Sequence, residues 1–239
     1  MCKNVQRGYA PGDQAEFGGD AVPKLRRAAQ NLYYLLNQGY PIKGASVFVG
    51  NHYLLSERQR LALVRAVSSQ ERIENRKNKE LSDLPKNGVV HIDGFNTIIT
   101  LEVALSDSLL LRCMDGTVRD LAALRGTYRL IDKTTRAIEM VGRMLEKGGV
   151  GKAVFYLDSP VSNSGRLKER IGALLGEYPF DLQFELIHNV DAVLETLENV
   201  ITSDAIILDK CGSWFNLCGR IIAEEIGEYP FADFAVPEE

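Results

Sequence analysis

The sequence predicts an α/β chain, a three-layer α/β/α arrangement around a parallel sheet, preceded by a small helical N-terminal part. Three observations carry that expectation. Short apolar segments at 89–92, 153–157 and 199–202 read as strands, and each runs into an aspartate: Asp93, Asp158 and Asp204. The stretches between them are long enough for the helical crossovers that parallel pairing requires. The chain ahead of residue 87 shows helical spacing instead of strand runs.

In order, residues 1–20 are Gly-rich and polar, which predicts a loose arm. Asp20 and Pro23 read as a helix start, and Leu25, Ala28, Ala29, Leu32, Leu35 and Leu36 recur at helical spacing until Gly39. Pro41 opens a second short segment through Gly50. Ser56 with Gln59 has the spacing of a capping box, in which each side chain satisfies the other residue's free amide, so a third helix is predicted with Leu61, Val64 and Val67 inward. Pro85 within 81–87 marks a boundary between a domain over 1–86 and one over 87–239.

Beyond it, the first strand stops at Asp93-Gly94, where glycine permits a sharp turn. The stretch through Leu124 has no assignable pattern. A helix is predicted over 125–145, closed by Gly148-Gly149, then the strand ending in Asp158, a helix from near Arg166, and an alternating strand over Asp181–Ile187. A loop with His188, Asn189 and Asp191 leads into a further helix, and at that junction Asp191 is open between an N-cap and a site role. Ser203 is positioned to cap the next helix, and a last helix is expected around 214–226.

With 239 residues, 45% of them hydrophobic, the chain can bury a sizeable core. No apolar run approaches the roughly 20 residues of a membrane span, and the N-terminus lacks a signal peptide's apolar stretch, so a cytoplasmic protein with no membrane partner is expected. Cys2, Cys113, Cys211 and Cys218 are scattered without a CxxC pair, which supports neither a disulfide framework nor structural zinc. Residues 1–86 hold 14 Lys/Arg against 8 Asp/Glu, and residues 87–239 hold 14 against 24. That asymmetry points to a polyanionic partner for the first part, with Arg58, Arg60, Arg65, Arg72 and Arg76 as candidate nucleic-acid contacts; the other reading is a solvated helical face. Homo-oligomerisation stays open.

Parallel strands set their C-terminal tips along one edge, where open α/β sheets bind ligands. Asp93, Asp158 and Asp204 therefore converge as candidate catalytic and metal-ligating residues. Clustered carboxylates repel, and oxygen-only ligands favour Mg²⁺ or Mn²⁺. Phosphodiester hydrolysis is the reaction class that fits. Asn96 and Ser203 on the adjoining turns, and Arg166 and Lys168 near the Asp158 loop, are the candidate substrate contacts.

The segments HIDGFN, FYLD and VITSDAIILD resemble the PIN-like nuclease superfamily, nearest its NYN branch, over about residues 87–226. The resemblance implies a parallel α/β/α sandwich and a metal-dependent nuclease, with RNA the favoured substrate. It gives Asp93 the first ligand position and Asp204 the late one, while Asp158 matches by strand context. It also implies another acid on an early helix, for which Glu102, Asp107, Asp115 and Asp120 are open; Glu102 is preferred because it follows the first strand soonest. Asp209 is carried as a further candidate ligand. The whole chain, including GYPIKGASVFVGNHYLLSERQRLAL, also resembles the family called domain of unknown function 434, which implies no activity. Two other functions compete: an inactive RNA-binding or scaffold protein on this fold, and a haloacid-dehalogenase-like phosphatase. The phosphatase ranks lower because Asn96 stands where the acid/base aspartate is needed.

Overall fold

The computed structural model describes residues 5–122 and 126–235. Five helices come first: α1 (Asp13–Phe17), α2 (Ala21–Asn37), α3 (Ile42–His52), α4 (Glu57–Ala66) and α5 (Gln70–Lys79). The segment ahead of α2 is not a loose arm, because Arg7 reaches Glu102 at 2.8 Å and Asp13 pairs with Arg58. The capping box forms as expected: Ser56 Oγ accepts from the Gln59 amide, and the Gln59 side chain accepts from the Ser56 amide, each at 3.1 Å. The inward face of α4 differs in part from the expected one, of which Val67 at the C-cap is buried. Ala62, Leu63 and Ala66 are buried, whereas Leu61 and Val64 are exposed, since small residues let the helix pack close against α2 and the strand that follows Leu109.

After the helices come β1 (Val89–Asp93), α6 (Gly94–Ala104), β2 (Leu110–Arg112), β3 (Val118–Asp120), α7 (Thr134–Lys147), β4 (Lys152–Asp158) and α8 (Ser164–Leu175). The chain continues through β5 (Asp181–Ile187), α9 (Val190–Leu194), β6 (Val200–Ile201), α10 (Ala205–Lys210), α11 (Leu217–Ile221), a π-helical turn (Ile222–Ile226) and β7 (Phe231–Asp233). The four strands β5-β4-β1-β6 form one sheet, parallel throughout. Strand alternation divides its side chains. Val90, Ile92, Phe155 and Leu157 enter a large core with α6, α7, α8 and α11, while Val154, Tyr156 and Val200 pack on the other face with Val190, Leu194, Ile207 and Leu208 of α9 and α10. Helices thus cover both faces.

A second sheet, β3-β2-β7, occupies the stretch with no assignable pattern and takes its third strand from the C-terminal end. Its hairpin closes at Asp115-Gly116, where Gly116 has φ +80° and Asp115 accepts from the Thr117 amide and hydroxyl. Leu109, Leu111, Cys113, Leu121, Ala232 and Phe234 share a core with α1 to α4.

Helix α7 starts at Thr134, later than expected, because Tyr128 is drawn into the core and Thr134 Oγ1 accepts from the Ile131 amide; Arg125, the expected first residue, lies outside the described residues. Gly94 is needed for a different reason than a turn. It enters α6 directly from β1, and a Cβ there would lie 2.6 Å from Leu157 and 3.0 Å from the Tyr156 carbonyl, so the helix start can press onto β4 only without a side chain. The expected last helix is broken. Trp214 is fully buried ahead of α11, its indole donating to the Arg76 carbonyl at 2.8 Å, and Asn216 caps α11.

Candidate metal centre at the strand tips

Strand β1 delivers Asp93 to its C-terminal end, and the register pairs Asp93 with Tyr156 of β4. Period-two alternation then sets Asp158 on the same sheet face as Asp93, beneath α9 and α10. Asp93 is also the N-cap of α6: Oδ1 accepts from the Asn96 amide at 3.3 Å, and Oδ2 accepts from the Thr202 hydroxyl at 2.9 Å. Burial pushes its pKa up to about 7, opposed by the Thr202 and Asn96 hydrogen bonds and reinforced by the charges of Asp204 and Asp191.

Asp204 follows β6 and caps α10, accepting from the Ile206 amide at 2.8 Å and the Ile207 amide at 3.4 Å. The capping role expected of Ser203 thus falls to its neighbour. Ser203 instead donates its amide (2.8 Å) and hydroxyl (2.9 Å) to Asn96 Oδ1, tying the start of α6 to the turn after β6. Asp158 accepts weakly from the Val190 amide at 3.4 Å.

Asp191 is the residue that sequence reasoning left undecided between a cap and a site. Asn189 supplies the cap of α9 through the Ala192 amide, so that role does not fall to Asp191. Its pKa is raised by burial and then by Asp204, Asp158 and Glu195. Electrostatics thus link Asp93, Asp191 and Asp204, with Asp158 joined through Asp191. Among the described residues, none of these four carboxylates is ion-paired.

The remaining candidates sit elsewhere. Glu102 is fully buried, bonded to Arg7, to the Tyr128 hydroxyl at 2.7 Å and to the Thr134 hydroxyl, so it serves an internal network instead of the strand tips. Asp209 is held by Arg76 at 2.6 Å and Arg72 at 3.4 Å. Asp115 bridges Arg76 and Arg119, Asp120 accepts from Thr100 at 3.0 Å, and Asp107 is exposed in a left-handed turn after α6.

The basic row is largely consumed internally as well. Arg58 binds Asp13 and the Gly8 carbonyl, Arg60 the Leu55 carbonyl, and Arg65 the Asp120 carbonyl. Arg76 is buried between Asp115 and Asp209, and Arg72, the most exposed of the five, pairs with Asp209. Beside the Asp158 loop, Arg166 is exposed on the first turn of α8, while Lys168 lies 5.7 Å over the Phe184 ring on the edge strand β5.

The donor set suits a hard cation. All four side chains offer oxygen alone, and two, Asp93 and Asp191, are raised by burial and by neighbouring carboxylates. Among the described residues no three acidic, His or Cys side chains are drawn close enough to ligate one ion directly. Mg²⁺ tolerates that, since it keeps several waters and binds through one or two carboxylates.

Residues 82–220 match the family model described as domain of unknown function (DUF5616), and residues 24–79 match protein of unknown function (DUF434). The uncharacterized protein MJ0935 of Methanocaldococcus jannaschii is 34% identical over 186 residues, covering 77% of this chain and 88% of its own length. No solved structure matches the chain. Among the described residues no helix is long and apolar enough to cross a membrane.

Proposed function

The chain belongs to the family described as domain of unknown function (DUF5616), and from that premise we propose that it is a PIN-like nuclease, dependent on Mg²⁺ or Mn²⁺, that hydrolyses RNA at the strand tips. One observation carries the reading. Asp93 is buried at the C-terminal end of a parallel strand beside the charges of Asp191 and Asp204, and among the described residues it is paired with no cation. A buried carboxylate beside further negative charge is unfavourable unless something of opposite charge completes it, and such groups concentrate at functional sites.

Asp93, Asp191 and Asp204 would hold the ion, one or two of them directly and the rest through its waters, with Asp158 at the edge of the set. When bound, it lowers the pKa of a water and stabilises charge on a phosphoryl oxygen. The chain's own residues do the orienting. The Thr202 hydroxyl and Asn96 amide direct the two Asp93 oxygens, the α10 amides fix Asp204, and Asn96 locks the Ser203 turn beside it. Arg166 is available at the Asp158 loop for a phosphate.

A second reading, an inactive RNA-binding protein, is favoured by the fact that both Asp93 oxygens are already engaged. Cleavage assays separate the two. Purified full-length protein should cut single-stranded RNA with Mn²⁺ or Mg²⁺ and lose that activity on chelation, and Asp93→Asn and Asp204→Asn should each abolish it with the fold retained. Wild-type protein that binds RNA but cuts neither RNA nor DNA with either metal would leave the binding protein standing.

A further inference from the structure

We propose that Arg119 is a positioning residue for Asp204, through which the helical N-terminal part holds the strand-tip site in place; the inference rests on the metal-site reading above. Arg119 lies on β3 of the second sheet and is only 5% exposed. Its guanidinium is divided among three partners on three elements. Nε donates to the Ser203 carbonyl at 2.6 Å, Nη1 to the Arg65 carbonyl near the end of α4, and Nη2 to Asp115 Oδ2 at 2.5 Å.

The same Asp115 carboxylate oxygen takes Arg76 of α5 at 2.6 Å, and Arg76 continues to Asp209 on α10 at 2.6 Å. One buried carboxylate therefore joins two arginines that grip the α10 segment at both ends: Arg119 at the residue just before its cap, Arg76 at Asp209 in its last turn. Helix α10 has six residues and cannot hold its own position by length. Where it sits decides where Asp204 sits. From the opposite side Ser203 is held by Asn96, so the turn carrying Asp204 is clamped between the first strand's helix and the second sheet. A planar, five-donor guanidinium can serve three acceptors at once, whereas an ammonium is a point charge that cannot reproduce that fork.

The test compares Arg119→Met, Arg119→Lys and, as a control, Tyr128→Phe, which removes a buried hydroxyl bonded to Glu102 in the core on the other face of the sheet. Each full-length protein is titrated with Mn²⁺ by calorimetry, and backbone amide exchange is measured without metal. Arg119→Met should weaken Mn²⁺ binding about 10- to 100-fold, the cost seen when a residue that orients a metal ligand is removed. Arg119→Lys should lose less, and Tyr128→Phe should bind like wild type. The Ile206 and Ile207 amides, which Asp204 caps, should exchange faster in Arg119→Met while sheet amides hold. Unchanged Mn²⁺ affinity and unchanged exchange in the Arg119 variants would overturn the proposal, as would equal weakening in Tyr128→Phe. If Arg119→Met does not fold, Arg119→Lys decides by the same two readouts. If wild type takes up no Mn²⁺, the metal reading fails, and the exchange of Ile206 and Ile207 alone decides the positioning role.

Discussion

Asp93 and Asp115 are both buried carboxylates at the end of a strand or in a turn beside one, yet their surroundings push them in opposite directions. Asp115 is flanked by Arg119 and Arg76 and bonded to Thr117; these hold its pKa below the ordinary value against the cost of burial. Asp93 has two hydrogen bonds but no cation, faces two further carboxylates, and rises to about 7. Burial is common to both. The counter-charge is what differs, and it separates an acid that knits two parts of the chain together from one left open to an external cation. Glu102, with Arg7 alone beside it, is still raised by burial, so one arginine offsets less than the two that flank Asp115.

The strongest way to break this comparison is to remove the paired acid. Asp115→Ala leaves Arg76 and Arg119 charged and buried without their shared partner, so it should destabilise the protein by about 3–5 kcal/mol in chemical denaturation. A loss under 1 kcal/mol would mean that the arginines find water or other acceptors, and the contrast with Asp93 would lapse.

The unpaired acid should behave in the opposite sense. In the folded protein Asp93 keeps its proton up to about pH 7, whereas in the unfolded chain it releases it near 3.8. Between those values the folded state binds the extra proton, so without metal this group makes stability fall as pH rises from about 4 to about 7 and then level off. Asp93→Asn should remove that slope and be more stable than wild type above pH 7, by an amount on the order of a few kcal/mol. Denaturation curves across that range in chelator check it; the same slope in both proteins would show that Asp93 ionises normally. Asp115, with its lowered pKa, contributes stability that is present above the ordinary carboxylate value and lost only as pH falls through the folded one.

The smallest effect sharpens the boundary between the two classes. Arg72 pairs with Asp209 at 3.4 Å but its side chain is 59% exposed, and Arg76 already holds the same carboxylate. Arg72→Ala should therefore cost less than about 1 kcal/mol. A larger thermal shift would make the exposed arginine part of the internal network.

How much of this was legible in the sequence depended on how local the cause was. The strands carrying Asp93 and Asp158, the edge strand Asp181–Ile187 and the Ser56 capping box were readable because alternation, apolar runs and caps act over a few residues. The second sheet was not, since its strands are three residues long and its third member arrives more than a hundred residues after the hairpin. Its one signal is Asp115-Gly116, a turn dipeptide.

Among the site residues, Asp93 and Asp204 stood out because each ends an apolar strand, and each turns out also to cap the helix that follows. Glu102 and Asp209 misled because their partners are remote: Arg7 is 95 residues from Glu102, and Arg76 is 133 from Asp209. Asp191 was ambiguous until Asn189 took the cap. The basic helices looked like a nucleic-acid surface for the same reason, as charge counted along a chain does not reveal that Arg58, Arg65 and Arg76 are spent on carbonyls and carboxylates of the fold itself.

The most direct measurement is the diffraction of a Mn²⁺-soaked crystal of the full-length protein, collected for anomalous signal. The account predicts a peak among the carboxylates of Asp93, Asp191 and Asp204, within about 2.0–2.6 Å of at least one of their oxygens or one water further away, and none at Asp115, Asp209 or Glu102. A soaked crystal whose strand tips hold no manganese, or one in which the ion sits at the arginine-paired acids instead, would contradict it.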